Sequence, residues 1–219
     1  MVVIDPGPDV EHHVRALASR LSGADEVSIL LTHGHRDHAG ATEALATELG
    51  APVFGPAGVP AVTEVLVDGG RVWSDEGTLR ALHTPGHTRE HLCFVWEERR
   101  ALFAGDLVLG EGETTWVAEY PGCVADYLDS LAKVRAFGPS VIYPAHGPAL
   151  TDPGVALERF EAHRRGRIRQ VEDALAAAPD ADLDALLDLV YGNALPPGLR
   201  PAAAQSLAAL VDFARGVRA

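Results

Sequence analysis

Residues 32–40 read THGHRDHAG, and this crowding constrains the chain more than any other feature it has. His33, His35, Asp37 and His38 fall within six positions, directly after the apolar run Val27-Ser28-Ile29-Leu30-Leu31. A strand that ends in a short loop turns alternate side chains into one space. The loop can then aim Asp37 and His38 at a second centre. Gly34 and Gly40 relax the backbone there. A lone histidine at this place would read as a polar loop residue, and Asp37 as a helix cap. The spacing HxHxDH points instead to metal binding.

Three other junctions carry the same kind of group. TPGHT (84–88) places His87 after a strand and a Pro-Gly turn. FAGDLV (103–108) places Asp106 near the end of an apolar strand, where an unpaired carboxylate would be costly. YPAHGP (143–148) places His146 at the end of another strand. Each alone could be a hydrogen-bonded core residue or a cap. Together they give seven nitrogen and oxygen donors at strand ends, which suits two adjacent divalent ions of the zinc type.

The segments that deliver these groups alternate between strand and helix patterns. Short runs rich in Val, Ile, Leu and Phe predict strands at 2–5, 27–33, 52–55, 71–74, 79–84, 91–98, 101–108 and 140–146. Helical spacing predicts helices over 9–21, 39–49 and 123–137, the last stopped by Gly138-Pro139. After Asp152-Pro153-Gly154 only helices are expected, over 155–177, 182–191 and 201–215. This is an α/β chain over residues 1–152 with a small helical domain over 153–219.

These motifs resemble the metallo-β-lactamase superfamily, through HGHRDH, TPGH, AGD and PAHGP. The resemblance implies an αββα sandwich with a metal pair at one edge. It implies that His33, His35 and His87 hold one ion, that Asp37, His38 and His146 hold the other, and that Asp106 bridges them. GDLVLGEGETT (105–115), VIYPAHGPAL and EAHRRGRIRQVEDAL are similar to the β-lactamase-like-2 group. Members of that group add a C-terminal winged-helix-like domain. An animal member is a single-strand endoribonuclease, and proteins of related layout are thioesterases acting on carrier-bound polyketides. Against that pattern, the first hairpin of the sandwich and the wing of the last domain are both expected to be absent here.

The cofactors expected are two divalent ions, zinc first, with manganese or iron also compatible. Two such ions lower the pKa of a shared water from about 15.7 to near 7 and supply hydroxide at neutral pH. Asp37 can orient that nucleophile and pass a proton onward besides binding metal. Thr32, Thr84 and Thr88 lie near the imidazoles, where ordinary strand-end hydrogen bonding is the plainer reading. His91, Glu111 and Glu113 are candidates to touch substrate, each with an ordinary strand or loop role as the alternative. Arg164 and Arg167 belong to a basic stretch, Arg159 to Arg169, that could neutralise phosphates. Its alternative is a solvated helix face paired with Glu158, Glu161 and Glu172.

Composition bears on the substrate. The net charge of −13 disfavours long nucleic acid. No apolar run approaches the ~18 residues of a membrane span. The start MVVIDPGPDV has no basic and apolar signal pattern. Two cysteines, Cys93 and Cys123, suit free thiols in a cytoplasmic protein. The expected function is thus a binuclear metal-dependent hydrolase. The substrate expected first is a single-stranded RNA phosphodiester, and the alternative is a thioester or small ester on an acyl carrier or coenzyme A. A non-catalytic docking module for nucleic acid or protein is the remaining alternative.

Overall fold

Two β-sheets face each other in the computed structural model, which describes residues 1–112, 114–192 and 195–217. The first sheet is parallel and contains β1 (Val2–Ile4), β2 (Ser28–Leu30), β3 (Val53–Gly55) and β4 (Glu64–Val65), in that order. The second holds β5 (Arg71–Ser74), β6 (Gly77–His83), β7 (Leu92–Trp96), β8 (Ala101–Gly105) and β9 (Val141–Pro144). Its pairs are antiparallel except β8 with β9, which run parallel. A parallel pair needs a crossover, and α4 (Cys123–Phe137) supplies it.

The period of two along each strand makes the layers. In β7, Leu92 and Phe94 point between the sheets, where they meet Leu30, Val72, Leu79 and Ala81. Cys93 and Val95 point the other way and pack with Val124, Tyr127, Leu131 and Val134 of α4. On the outer face of the first sheet, Ile29, Leu31 and Val53 pack with Ala18 and Leu21 of α1 (Glu11–Leu21) and Leu45 of α3 (Thr42–Leu49). The result is helix, sheet, sheet, helix, as the resemblance implies. Phe94 has no exposed surface, so Phe94→Ala would cost about 3–5 kcal/mol through lost burial and a cavity.

All eight expected strands are present, most of them shorter than their apolar runs. β4 is two residues long, too short to show a period, and was not expected. The helix expected over 39–49 starts three residues later, at Thr42, and a short helix that was not expected precedes it. α2 (Arg36–Ala39) ends where the Ala41 amide turns to the Gly7 carbonyl at 2.8 Å, and α3 starts afresh.

Beyond β9 the described residues form no strand. α5 (Pro153–Ala177) is capped by the Asp152 carboxylate, which accepts from the Val155 amide, and Pro153 opens its first turn. α6 (Leu183–Tyr191) is capped likewise by Asp182. α7 (Arg200–Ala214) packs on both. Leu157 and Phe160 of α5 and Leu207 and Leu210 of α7 join one apolar cluster with Leu102, Leu107 and α4. The helical segment is therefore seated directly on the second sheet's outer layer. No helix among the described residues is long and apolar enough to cross a membrane.

Candidate metal centre

Four strands end at one edge of the sandwich, and each hands a donor to the same space. His33 and His35 follow β2, His87 follows β6 through the turn Thr84-Pro85-Gly86, Asp106 follows β8 and His146 follows β9. Gly105 makes this possible. Its φ is +49°, and a Cβ there would lie 2.6 Å from His91 Nε2 and 2.7 Å from Thr32 Oγ1. Only glycine lets β8 close against these two residues before Asp106 turns inward.

The seven expected residues converge in three overlapping groups: His33, His35 and His87; His33, His38 and Asp106; and Asp37, His38 and His146. Within each group the donor atoms lie within 4.8 Å of one another. Asp106 Oδ2 is 3.5 Å from His87 Nε2, while its Oδ1 is 3.5 Å from both His38 Nε2 and His146 Nε2. One carboxylate thus turns an oxygen to each side. Asp37 Oδ2 is 3.3 Å from His146 Nε2 and 3.7 Å from His38 Nε2.

Hydrogen bonds outside the cluster fix which ring nitrogen faces it. Thr32 Oγ1 donates to Asp5 Oδ2 at 2.7 Å, so it accepts from His33 Nδ1 at 2.9 Å. His38 Nδ1 donates to the same Asp5 oxygen at 2.9 Å. His87 Nδ1 donates to the Trp116 carbonyl at 2.8 Å. His35 Nε2 meets Glu119 Oε1 at 2.8 Å, which leaves its Nδ1 for the centre. The unprotonated faces of His35 Nδ1 and His87 Nε2 then stand 3.1 Å apart. Two lone pairs so close repel unless a cation lies between them. Tetrahedral zinc with nitrogens at ~2.0–2.1 Å would set them about 3.3 Å apart.

The buried polar atoms agree. His33 Nε2, His38 Nε2 and Asp106 Oδ1 are buried and make no hydrogen bond, a costly state for a folded chain. A pair of divalent cations would satisfy all three, so the residues fit the group that the sequence implies.

Charge in the cluster follows from burial and neighbours. Burial pushes the His33 imidazole far below its usual range, and His91, His38, His87 and His35 add to the effect. Burial also lowers His87, against the Trp116 carbonyl. His38 behaves oppositely: burial opposes its charge, but Asp106 and Asp5 overrule it and raise it to about 10. At 3.5 Å Asp106 acts on His38 mainly through charge, whereas Asp5 makes the firm hydrogen bond. Burial would raise the Asp106 carboxyl, yet His38, His87 and His146 hold it below its usual value.

Other expected contacts lie elsewhere. His91 is fully buried just before β7, its Nδ1 3.0 Å from Thr84 Oγ1 and its Nε2 accepting from the Asp106 amide at 3.2 Å. Burial lowers it to about 3. It therefore supports Asp106 from behind rather than facing a cleft. Glu111 is exposed, and Glu113 lies outside the described residues. Arg164 is buried and donates to the Thr115 carbonyl at 3.0 Å. Arg167 donates to Gln170 Oε1 and stacks 4.3 Å over Tyr191. Cys93 is buried, and burial pushes its thiol up to about 12.

Sequence reasoning missed Asp5, Glu119 and the Trp116 carbonyl. Asp5 holds two of the four imidazoles described above and has φ +49°, an uncommon conformation that aspartate tolerates better than most residues. It lies 27 positions before Thr32, and nothing in local spacing links them.

A cleft of about 1420 Å³ opens from Asp37, His38 and His146. Val2, Ile4, Trp73, Leu79, Trp96, Phe103 and Tyr143 give it an apolar wall. Its lining carries the carboxylates of Asp5, Asp25, Glu26, Asp75 and Glu76, and no lysine or arginine among the described residues lines it.

The metallo-beta-lactamase superfamily model matches residues 2–63 and 60–146. The atrochrysone carboxyl ACP thioesterase nsrC of Aspergillus novofumigatus is 30% identical over 218 residues, 91% of this chain and 65% of that protein. The beta-lactamase-like protein 2 homolog of Caenorhabditis elegans is 32% identical over 182 residues, 78% of this chain and 60% of that protein. The chain thus spans less than two thirds of these curated relatives. The solved metallo-beta-lactamase family protein TTHA1429 from Thermus thermophilus superposes with a TM-score of 0.76 at 23% identity, over 98% of this chain and 83% of that one. The structure of TTHA1623 in a di-iron-bound form gives 0.56 at 28% identity, over 72% and 84%.

Proposed function

Because the chain belongs to the metallo-β-lactamase superfamily, we propose that it is a binuclear metal-dependent hydrolase acting on thioesters. The observation that carries the substrate class is the cleft beside Asp37, His38 and His146: apolar, acidic and free of lysine and arginine among the described residues. Such a wall suits a neutral acyl group and repels a phosphodiester backbone. This reverses the order of substrates that the sequence suggested. The arginine stretch that favoured RNA is engaged elsewhere, with Arg164 buried under the segment 114–116 and Arg165 paired to Glu161. Similarity to a relative named as an ACP thioesterase supports the same choice.

In this reading His33, His35 and His87 would hold one ion and Asp37, His38 and His146 the other, with the Asp106 carboxylate facing both groups. Five imidazole nitrogens and two carboxylates, with no thiolate, suit zinc or iron, and a di-iron-bound relative keeps iron in the proposal. When bound, such a pair polarises a carbonyl and makes water nucleophilic at neutral pH. The chain's own groups do the rest. Thr32, Asp5, Trp116 and Glu119 keep His33, His38, His87 and His35 in the orientation described. Asp37, half exposed at the cleft's end, takes the proton of the attacking water on its carboxylate and yields it to the leaving thiolate, so that thioester and water become acid and thiol. Two buried, free cysteines accord with a cytoplasmic setting.

The test is turnover of a neutral N-acetylcysteamine thioester by zinc- or iron-loaded protein, beside an end-labelled single-stranded RNA and beside the Asp37→Ala variant. Thiol release by the wild type alone is expected. RNA cleavage without thiol release would restore the ribonuclease reading. Neither activity with two ions bound would favour a docking module.

A further inference from the structure

The segment Thr114–Trp116 belongs to no helix or strand, yet its polar groups are held on three sides. The Thr115 hydroxyl donates to the Asp106 carbonyl at 2.7 Å. The Trp116 carbonyl accepts from His87 Nδ1 at 2.8 Å. The Thr115 carbonyl accepts from Arg164 Nη2 at 3.0 Å, and the same nitrogen lies 3.4 Å from Thr114 Oγ1. Arg164 comes from α5, on the helical side of the chain, and is 4% exposed.

A second route runs through Tyr127. The Arg164 guanidinium sits 5.2 Å from the centre of the Tyr127 ring. The backbone of Tyr127 is pressed against Gly86, where a Cβ would lie 2.6 Å from Tyr127 Cα. Gly86 directly precedes His87. One buried side chain therefore bears on two of the seven donors, through Thr115 on Asp106 and through both Trp116 and Tyr127 on His87.

Burying a guanidinium is expensive, and an apolar side chain of like volume would fill the space at less cost. What an apolar side chain cannot do is direct the Thr115 carbonyl. That carbonyl belongs to the peptide unit next to the one whose carbonyl holds His87. Holding it leaves only the two dihedrals of Trp116 between the held carbonyl and the one that aims at His87.

We propose that Arg164 is a positioning residue through which the C-terminal helical segment sets the metal affinity of the centre, by holding residues 114–116 against His87 and Asp106. The proposal rests on the two-metal reading above. Outer partners of ligating imidazoles typically change metal affinity by about 10–100-fold when lost, and Arg164 acts one step behind such a partner.

The experiment uses the full chain loaded with cobalt(II). Affinity is read by competition with a chromophoric chelator and ligand geometry by the visible absorption band. Arg164→Met should weaken cobalt binding by about tenfold or more and alter the band. Arg164→Lys should recover part of the loss, since an ammonium can still donate to the Thr115 carbonyl. Thr115→Val should weaken binding too, and adding it to Arg164→Met should cost less than the two separate losses combined. Arg165→Ala, an exposed neighbour paired with Glu161, should leave both readouts unchanged. A purely structural Arg164 would lower the unfolding temperature of the metal-free protein while leaving cobalt affinity and band at wild-type values, and that result overturns the proposal. If Arg164→Met does not fold, unchanged affinity in both Arg164→Lys and Thr115→Val overturns it equally. Failure of the wild type to bind cobalt would overturn the two-metal reading itself.

Discussion

Asp5 Oδ2 lies 2.9 Å from His38 Nδ1, and the same oxygen accepts the Thr32 hydroxyl that holds His33. One carboxylate on the loop after β1 thus orients an imidazole from each of the two donor sets. Its own geometry is fixed by the Thr32 amide, which donates to the other oxygen at 2.8 Å. Asp5→Ala should therefore weaken both ions together, by about 10–100-fold each. Metal content after dialysis against graded chelator measures this. Loss of one ion with the other retained at wild-type affinity would contradict the shared role.

The donor sets should separate by mutation. His35 belongs to one group and His146 to the other, while Asp106 faces both. His35→Ala and His146→Ala should each bring the bound metal from two equivalents towards one. Asp106→Asn should deplete both, since an amide offers one oxygen and no charge. Elemental analysis of the purified variants decides this, and loss of a single ion in Asp106→Asn would show that the carboxylate serves one side only.

The seven donors were legible because each sits at a strand end in a short motif, and because HxHxDH has few other uses. The strands were legible because Leu92 to Val95 and Ile29 to Leu31 are apolar on both faces, as buried strands require. What the sequence hid is long-range. Asp5 finds Thr32 and His38 only after β1 pairs with β2. Trp116 and Arg164 are 29 and 77 positions from His87 along the chain, and Arg164 reaches the segment beside Trp116 from α5, which packs on α4. The arginine stretch was only partly legible, for a related reason. Its charge is plain in the sequence, and so is the i,i+4 spacing by which Arg165 pairs with Glu161 inside α5, but the burial of Arg164 depends on that same seating.

Metal uptake should release a proton. In the metal-free protein the carboxylates of Asp106 and Asp5 raise His38 to about 10 despite its burial, so at neutral pH this imidazole is charged. It must shed that proton to offer Nε2 to a cation. Apparent affinity at this site should rise by up to about tenfold per pH unit from pH 7 towards 10 and level off above it. The same sign governs the apoprotein: the raised value stabilises the fold fully below the unfolded pKa of ~6.5, and the contribution fades as pH rises through about 10. Titration calorimetry in buffers of different ionisation enthalpy counts the proton, and a heat independent of buffer would refute it.

Gly86 offers a test of whether backbone fit, as well as ligand identity, sets the centre. Its φ is +136°, and a Cβ would stand 2.6 Å from both Cα and Cβ of Tyr127. Gly86→Ala must therefore push α4 away or tilt the turn that carries His87. Backbone strain alone costs about 1–3 kcal/mol. Gly50, with φ +62° and open space around it, supplies the control, since Gly50→Ala meets αL strain without a clash. Gly50→Ala should lower the unfolding temperature by a few degrees and leave the cobalt band intact. Gly86→Ala should lower it further and also shift the band, because His87 moves with the turn. If both variants lose stability but keep the wild-type band, the turn yields without moving His87, and the close fit of Gly86 to Tyr127 serves packing alone.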